Sequence, residues 1–281
     1  MTINPDFVFS ANNLQDYQDC PRRFELKYLL KQRWPAEESE PVLEWEHELE
    51  LGTRFHQLVY QYLSGLPEEA LLESINDPDV ESWFRIFLAF YSQQEFSQTF
   101  PEFRVRVPLG DYQAVAVYDL LALTPDNRLL ILDWKTAKKK PQRSKVSDRM
   151  QTVLYPFAAL ESAHNFLPDI SLSPESIEMT YVYVRQALEN TLTFNYDAQK
   201  HAENRSNLET LAAEIAALEL GDFPLTDDKR RCKYCVYRSL CERGENAGSL
   251  SDIEGMETEP ELDLDALLGS LDFEAGDEIA F

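Results

Sequence analysis

The four cysteines of this 281-residue chain limit how its two ends can be arranged. Cys20 lies near the amino terminus, whereas Cys232, Cys235 and Cys241 form a C-x2-C-x5-C run near the other end. Such a run with a distant fourth thiol is typical of a metal or cluster site. On ligand chemistry alone, four thiolates bind Zn²⁺ as readily as a [4Fe–4S] cluster. The spacing therefore predicts a ligated site that joins both ends of the chain.

The residues around Cys20 predict two helices that meet at this cysteine. Ser10 can cap a first helix that carries Leu14 and Tyr17 on one face. Pro21 should end that helix, because the residue before a proline avoids the helical region. A second helix then begins at Pro21. Cys20 is thereby placed at a helix amino terminus, where the dipole favours a thiolate.

Farther along the chain, the apolar residues change from helical to alternating spacing, which predicts an α/β fold. Helices are predicted at residues 43–63, 80–95, 147–164 and 197–220. A three-stranded antiparallel meander is predicted over residues 103–108, 112–123 and 128–134, with turn signals between the strands. Two short strands are predicted at residues 181–184 and 191–195.

Charged side chains follow the third strand of this meander. Asp133 and Lys135 are two residues apart, so both should point to the same face of the sheet. Asp119 lies on the preceding strand and can approach them. Two converging carboxylates can bind Mg²⁺ or Mn²⁺, which activates water and neutralises phosphate charge, while a lysine positions or deprotonates the nucleophile.

Each of these signals also has an ordinary structural explanation. An Asp–Lys pair at a strand end is, by itself, more often a surface ion pair, and a lone His56 is more often a packed core histidine. Gln151 and Tyr155 share one helical face, which alone signifies little. Against this, burying a charged pair after an apolar strand is costly without a metal or a partner.

The formal net charge of −24 is unevenly distributed. Half of it comes from residues 244–281, which contain twelve Asp and Glu and no Lys or Arg. Two basic stretches contrast with this tail: residues 135–149 hold seven Lys and Arg, and residues 229–243 hold six. Each stretch alone is equally typical of a solvated loop. Together, beside the two candidate sites, they favour a polyanionic substrate.

The composition divides the chain into a folded part, residues 1–243, and an acidic tail, residues 244–281, that we expect to be disordered. Within the tail, residues 262–273 carry leucines at helical spacing, namely Leu264, Leu267, Leu268 and Leu271. The tail is either an inert solubilising segment or a short helix that folds onto a protein partner, and the sequence favours neither.

The first residues lack a basic and apolar leader, and no long apolar run predicts a membrane span. We therefore expect a cytoplasmic protein without a membrane partner, where thiols stay reduced.

In chain order, the quoted residues resemble the motifs of the PD-(D/E)XK nuclease superfamily. Gly52-Thr-Arg-Phe-His56, Asp119, Asp133-Trp-Lys135 and Gln151-x3-Tyr155 resemble its RecB-type nucleases. The run Ser10-x3-Leu14-x2-Tyr17-x2-Cys20-Pro21-x2-Phe24 and the three later cysteines are similar to its iron–sulfur branch. That branch includes the AddB-type nucleases and the CRISPR-associated spacer-acquisition exonucleases. The resemblance covers residues 9–243.

This resemblance implies a restriction-endonuclease-like core, a central mixed sheet flanked by helices, with a helical lobe. It implies that His56, Asp119 and Asp133 bind the catalytic Mg²⁺ or Mn²⁺ and that Lys135 is the catalytic lysine. Gln151 and Tyr155 are implied to bind substrate, and Glu102 resembles a glutamate common in the family. It also favours a [4Fe–4S] cluster over zinc at the four cysteines, Cys20, Cys232, Cys235 and Cys241.

The expected function is metal-dependent hydrolysis of DNA, acting on single-stranded ends, in DNA repair and recombination or in CRISPR adaptation. A rival hypothesis is a non-catalytic iron–sulfur subunit that binds DNA or acts as a scaffold in a nuclease complex. The presence of His56, Asp119, Asp133 and Lys135 favours the enzyme. A zinc-stabilised nuclease is a third hypothesis, and no residue excludes an RNA substrate.

Overall fold

The computed structural model describes residues 3–32, 40–186, 191–233 and 235–244. The strands are β1 (Val8–Ser10), β2 (Gln98–Leu109), β3 (Tyr112–Leu123), β4 (Leu129–Lys135), β5 (Ile177–Tyr183) and β6 (Thr191–Asn195). The α-helices are α1 (Ala11–Asp19), α2 (Pro21–Phe24), α3 (Glu40–Leu63), α4 (Glu68–Ser74), α5 (Pro78–Tyr91), α6 (Arg143–Val146), α7 (Met150–Phe166), α8 (Ala198–Ala217) and α9 (Lys229–Cys232).

One mixed sheet forms the centre of the fold. Its main path runs β1-β3-β4-β5-β6, and β2 pairs with β3. β1 is parallel to β3 and β4 is parallel to β5, whereas the other pairs are antiparallel. The nearly unbroken apolar residues of β4 fit its position between two strands. The expected α/β class, with helices on a central mixed sheet, is confirmed.

Helices cover the two faces of the sheet, and each face has its own apolar core. Leu14 of α1, Phe157 of α7 and Ile215 of α8 belong to one core. Phe55 of α3 and Phe87 of α5 belong to the other, together with Trp134 of β4. Since neighbouring residues of a strand point to opposite faces, Asp133 and Lys135 point away from α5 and toward α7.

Hydrogen bonds at the amino end show why α1 begins where it does. The Ser10 hydroxyl accepts a hydrogen bond from the backbone amide of Asn13, and the Asn13 side chain accepts one from the amide of Ser10. Cys20 is extended (φ −164°) between α1 and α2, and Pro21 is the first residue of α2. The predicted cap and the predicted break are both confirmed.

Some element boundaries differ from the sequence predictions. The helix predicted over residues 147–164 begins only at Met150, because Arg149 is extended and residues 143–146 form the separate short helix α6. The backbone amide of Met150 instead donates to Gln15 Oε1. β5 begins four residues earlier than predicted, and β1 was not predicted, since three residues carry too little pattern.

The amino- and carboxy-terminal parts of the described chain are in contact, as expected. The amide of Arg22 donates to the carbonyl of Pro224, and the Tyr237 hydroxyl donates to the carbonyl of Gln32. The predicted tail, residues 244–281, including the leucines of residues 262–273, lies outside the described residues except for Gly244. Within the described chain, no helix combines the length and the apolar character that crossing a bilayer requires.

Candidate active site and cysteine site

Strands β2 and β3 shift their side-chain alternation at one position, and two carboxyl groups lie there. Glu102 of β2 and Asp119 of β3 lie opposite each other, and they are the one pair that interrupts the continuous pairing of these two strands. In β3, the residues that face the core beneath α7 are even-numbered before Asp119, namely Ala116 and Tyr118. After Asp119 they are odd-numbered, as Leu121 shows. Glu102 has a φ of 46°, which is uncommon for a residue other than glycine. Irregularities of this kind redirect side chains and are frequent next to active sites.

The redirected Asp119 contacts the neighbouring strand β4 and the helix α3. Its Oδ2 atom accepts a 2.8 Å hydrogen bond from the backbone amide of Trp134 in β4. The same oxygen lies 3.5 Å from Nδ1 of His56 in α3. Both His56 and Asp119 side chains are 18% exposed. The structure therefore brings together Asp119 and His56, which are distant in sequence.

Asp133, Lys135 and Gln151 form a closed set of polar contacts. Lys135 Nζ lies 2.8 Å from Asp133 Oδ1 and donates to Gln151 Oε1 at 2.9 Å. Gln151 Nε2 donates to Asp133 Oδ2 at 2.5 Å. Lys135 is fully buried, and its ammonium lies 5.2 Å from the ring centre of Tyr181. The pair is therefore no surface ion pair, and α7 fixes its geometry.

Tyr155 lies one turn after Gln151 on the same face of α7. Its carbonyl accepts a 2.9 Å hydrogen bond from the hydroxyl of Tyr118, and the two rings are 5.0 Å apart. Burial raises the pKa of Tyr155, and the charge of Asp133 adds to the rise. The phenol therefore stays protonated and can donate a hydrogen bond to an anionic ligand.

The carboxyl groups of the site affect one another electrostatically. Burial raises the pKa of Asp133 to about 7; Lys135 opposes the rise and Asp119 adds to it. Burial also raises the pKa of Glu102 to about 7, with a further increase from Asp119. Burial would raise the pKa of Asp119 too, but His56 and the amide of Trp134 hold it below its usual value. Because these three carboxyl groups lie close together, ionising all of them at once is unfavourable unless a cation offsets their charge.

The donor set of this site fits a hard divalent cation. Asp119 and Asp133 supply carboxylate oxygens, the ligands that Mg²⁺ and Mn²⁺ prefer, and His56 supplies a ring nitrogen. Both oxygens of Asp133 are, however, engaged by Lys135 and Gln151. Throughout the described ranges, no three His, Cys, Asp or Glu side chains stand close enough together to hold a metal ion. The residue types fit, and their spacing is wider than that of a preassembled metal site.

The four cysteines line a single cavity between the terminal parts of the chain. Cys20, Cys232, Cys235 and Cys241 share this cavity with four arginines, Arg23, Arg231, Arg238 and Arg243. All four thiols are free of disulfides. Burial raises the pKa of Cys235, and the charge of Arg23 opposes that rise. Nearby cations favour thiolates, but among the described residues the thiols are not at metal-binding spacing.

A further charged cluster was not predicted from the sequence. Glu48 of α3 forms an ion pair with Arg185, and its Oε1 lies 3.0 Å from Lys138 Nζ. The Arg185 guanidinium stacks 4.1 Å above the ring centre of Trp83. Glu48 thus links the helix that carries His56 to the segment after Lys135. No sequence signal pairs Glu48 with Arg185, because 137 residues separate them.

Comparison with known protein families identifies the class to which this fold and site belong. The model of the PD-(D/E)XK nuclease superfamily matches residues 8–242. The chain therefore belongs to the PD-(D/E)XK nuclease superfamily, whose members generally use Mg²⁺ or Mn²⁺.

The solved structures similar to this chain include two distant ones. A crystal structure of a putative exonuclease from Eubacterium rectale is 12% identical over 74% of this chain and 79% of that chain, with a TM-score of 0.46. The structure of SSO0001 is 13% identical over 85% of this chain and 87% of that chain, with a TM-score of 0.40. No curated protein matched the chain. The assignment to the superfamily rests on the family match alone.

Proposed function

We propose that this nuclease is a metal-dependent deoxyribonuclease that degrades single-stranded DNA from an end. The observation that carries the proposal is the convergence of four side chains from the elements β3, β4 and α3. They are Asp119, Asp133, Lys135 and His56. These residue types supply the ligands and the lysine that phosphodiester hydrolysis with a divalent cation requires.

His56, Asp119 and Asp133 are the proposed ligands of Mg²⁺ or Mn²⁺. When bound, the ion lowers the pKa of water and neutralises charge on the phosphate. The protein places Lys135 Nζ 2.8 Å from Asp133 Oδ1, so the lysine lies beside a proposed metal ligand. There it orients or deprotonates the attacking water. Gln151 holds the lysine, and Gln151 and Tyr155 are the proposed contacts to substrate oxygens.

At the other site, we propose that Cys20, Cys232, Cys235 and Cys241 bind a [4Fe–4S] cluster with a structural role. Support comes from the common cavity and from the arginines that line it, together with the likeness to the iron–sulfur, RecB-type branch. A cluster held by Cys20 and the carboxy-terminal thiols closes a very long loop and so stabilises the folded state. Zinc at this site remains the alternative, and iron analysis separates the two.

The biological setting that we propose is DNA repair and recombination or CRISPR adaptation. The rival function is a non-catalytic subunit that binds DNA or acts as a scaffold. Such a subunit would keep the fold and the cysteine site, but it would not need a buried lysine between two polar partners. Since Lys135 is fully buried and paired with Asp133, the enzyme is the better supported function.

Linear and circular single-stranded DNA test the proposal. We expect protein purified without oxygen to degrade the linear strand with Mn²⁺ or Mg²⁺, to leave the circle intact, and to stop when EDTA is added. Labels at the 5′ and 3′ ends give the polarity, and an RNA strand of the same sequence tests the sugar preference. Cleavage of the circle would contradict end-dependent action. Failure to cleave any strand by folded, iron-containing protein would favour the scaffold function.

A further inference from the structure

Exposed apolar side chains concentrate where the two ends of the chain meet. Of the seven large apolar side chains exposed among the described residues, five lie on three segments of this region. We call these five the terminal surface: Leu30 at 46% exposure, Val236 at 43%, and Leu220, Leu225 and Leu240 at 42% each. The other two, Tyr60 and Leu66, lie in or just after α3.

Contacts between the three segments place the terminal surface in one region. The Tyr237 hydroxyl, between Val236 and Leu240 in sequence, donates to the carbonyl of Gln32. The Arg22 amide donates to the carbonyl of Pro224, next to Leu225. Leu225 and Tyr237 also line the same cavity. The segments that carry the exposed apolar residues are thus neighbours in the fold.

Positive charge on residues 229–233 lies next in sequence to Leu225 and Val236 of the terminal surface. Lys229, Arg230 and Lys233 are exposed, and the Arg230 side chain is 86% exposed with its ion pair to Asp228. Arg231 is 44% exposed and pairs with Asp19 and Asp228. Exposed apolar side chains next to a cationic segment are suited to an acidic amphipathic segment.

The chain itself supplies such a segment, directly after this surface. Arg243 contacts the carbonyl of Thr226, so the described chain ends at Gly244 beside the terminal surface. The following 37 residues carry twelve acidic and no basic residues, and Leu264 and Leu268 are one helical turn apart. Residues 245–261 separate Gly244 from this segment, and a random coil of about 17 residues has an end-to-end distance of roughly 20–25 Å. A tether of that reach would give the leucines an effective concentration on the order of millimolar at this surface.

We propose that residues 262–273 bind the terminal surface of their own chain through these leucines and that the tail acids shield the nearby Lys and Arg from DNA. The shielding part rests on the proposed function, whereas the binding part does not. The tail thereby competes with nucleic acid for the basic stretch at residues 229–243 and lowers non-productive binding of DNA.

Hydrogen–deuterium exchange of the full-length protein tests the binding part without DNA. We expect amides of residues 262–273 to be protected, and protection to be lost in Leu267→Ser/Leu268→Ser and in Val236→Ser/Leu240→Ser. Leu66→Ser, an equally exposed leucine away from the terminal surface, should leave protection unchanged. Fast exchange at residues 262–273 in the wild type would overturn the proposal. Protection that disappears on dilution would also overturn it, because the occupied surface would then belong to a second copy.

Affinity for single-stranded oligothymidine, measured with EDTA present, tests the shielding part. Leu267→Ser/Leu268→Ser keeps all twelve acids, so any gain in affinity reflects release of the tail rather than a changed net charge. We expect its affinity to rise roughly 3–10-fold at low salt and the difference to vanish as salt screens the charges. Equal affinities in the two proteins would overturn the shielding. If the wild type binds no DNA while residues 262–273 are protected, the proposed function fails and the tail binding stands.

Discussion

The two candidate sites are held together in different ways. Asp133 and Lys135 are 3% and 0% exposed, lie on a central strand, and are fixed by Gln151 of a long helix. Cys235 and Cys241 lie on turns, are partly exposed, and share a cavity with arginines. The geometry of the candidate active site is therefore supported by the sheet itself. The proposed cysteine site would depend on the group that its thiols bind, so we expect the two sites to respond differently to mutation.

Among substitutions outside Lys135, Asp133→Asn should reduce catalysis most. The amide keeps the shape of the side chain but removes a proposed metal ligand and the counter-charge of Lys135. We expect single-strand cleavage to fall by on the order of 10³-fold with the fold preserved, and the melting temperature to fall because the buried Lys135 loses its counter-charge. A variant that retains cleavage within tenfold of the wild type would show that the sheet site is not the reaction centre.

Cys235→Ser should separate stability from catalysis. We expect loss of iron and a lower melting temperature, corresponding to on the order of 4 kcal/mol, because the cluster no longer closes a long loop. Ser239→Ala, in the same turn, is the matched control and should change neither quantity. Full iron content with unchanged melting in Cys235→Ser would refute the cluster assignment.

Glu48→Gln should have an intermediate effect, confined to metal affinity and helix position. The substitution weakens the contacts to Arg185 and Lys138 and so loosens α3, which carries His56. We expect the Mn²⁺ concentration for half-maximal cleavage to rise roughly tenfold, while the rate at saturating Mn²⁺ changes little. Glu81→Gln, which disrupts an exposed pair with Arg85, is the control. An unchanged Mn²⁺ dependence would remove Glu48 from the positioning of the site.

Glu102→Gly should have the smallest effect on stability, and any change should be stabilising, which is unusual for a point substitution. Glycine adopts a φ of 46° without strain, so the free energy of unfolding should be unchanged or raised by up to about 1 kcal/mol. Cleavage should nevertheless fall, because the carboxyl group beside Asp119 is lost. Calorimetry and a cleavage assay on the same preparation test both signs; destabilisation together with full activity would contradict the account.

The sequence predicted the parts of the site that follow regular periodicity. Asp133 and Lys135 were expected on one face because strand side chains alternate, and both contact Gln151. The Ser10 cap was likewise predictable, since its hydrogen bonds are local.

The remaining features depend on contacts that no local pattern encodes. The shift in alternation at Glu102 and Asp119 requires both strands to deviate at the same position. The partnership of Glu48 with Arg185 joins elements far apart in sequence. Convergence of the cysteines was expected from their spacing, but spacing alone leaves the bound group undetermined.

The most direct test of the central claim is single-turnover cleavage of end-labelled single-stranded DNA by the wild type beside Lys135→Ala. Lys135→Met retains the side-chain volume in a fully buried position, and Arg85→Ala serves as an exposed control. With Mn²⁺ we expect rapid cleavage by the wild type and by Arg85→Ala, and a loss of 10²–10⁴-fold, on the order expected for a general base, in both Lys135 variants. Iron content and melting temperature should stay unchanged in Lys135→Met. Lys135 variants that cleave as fast as the wild type would contradict the proposed mechanism.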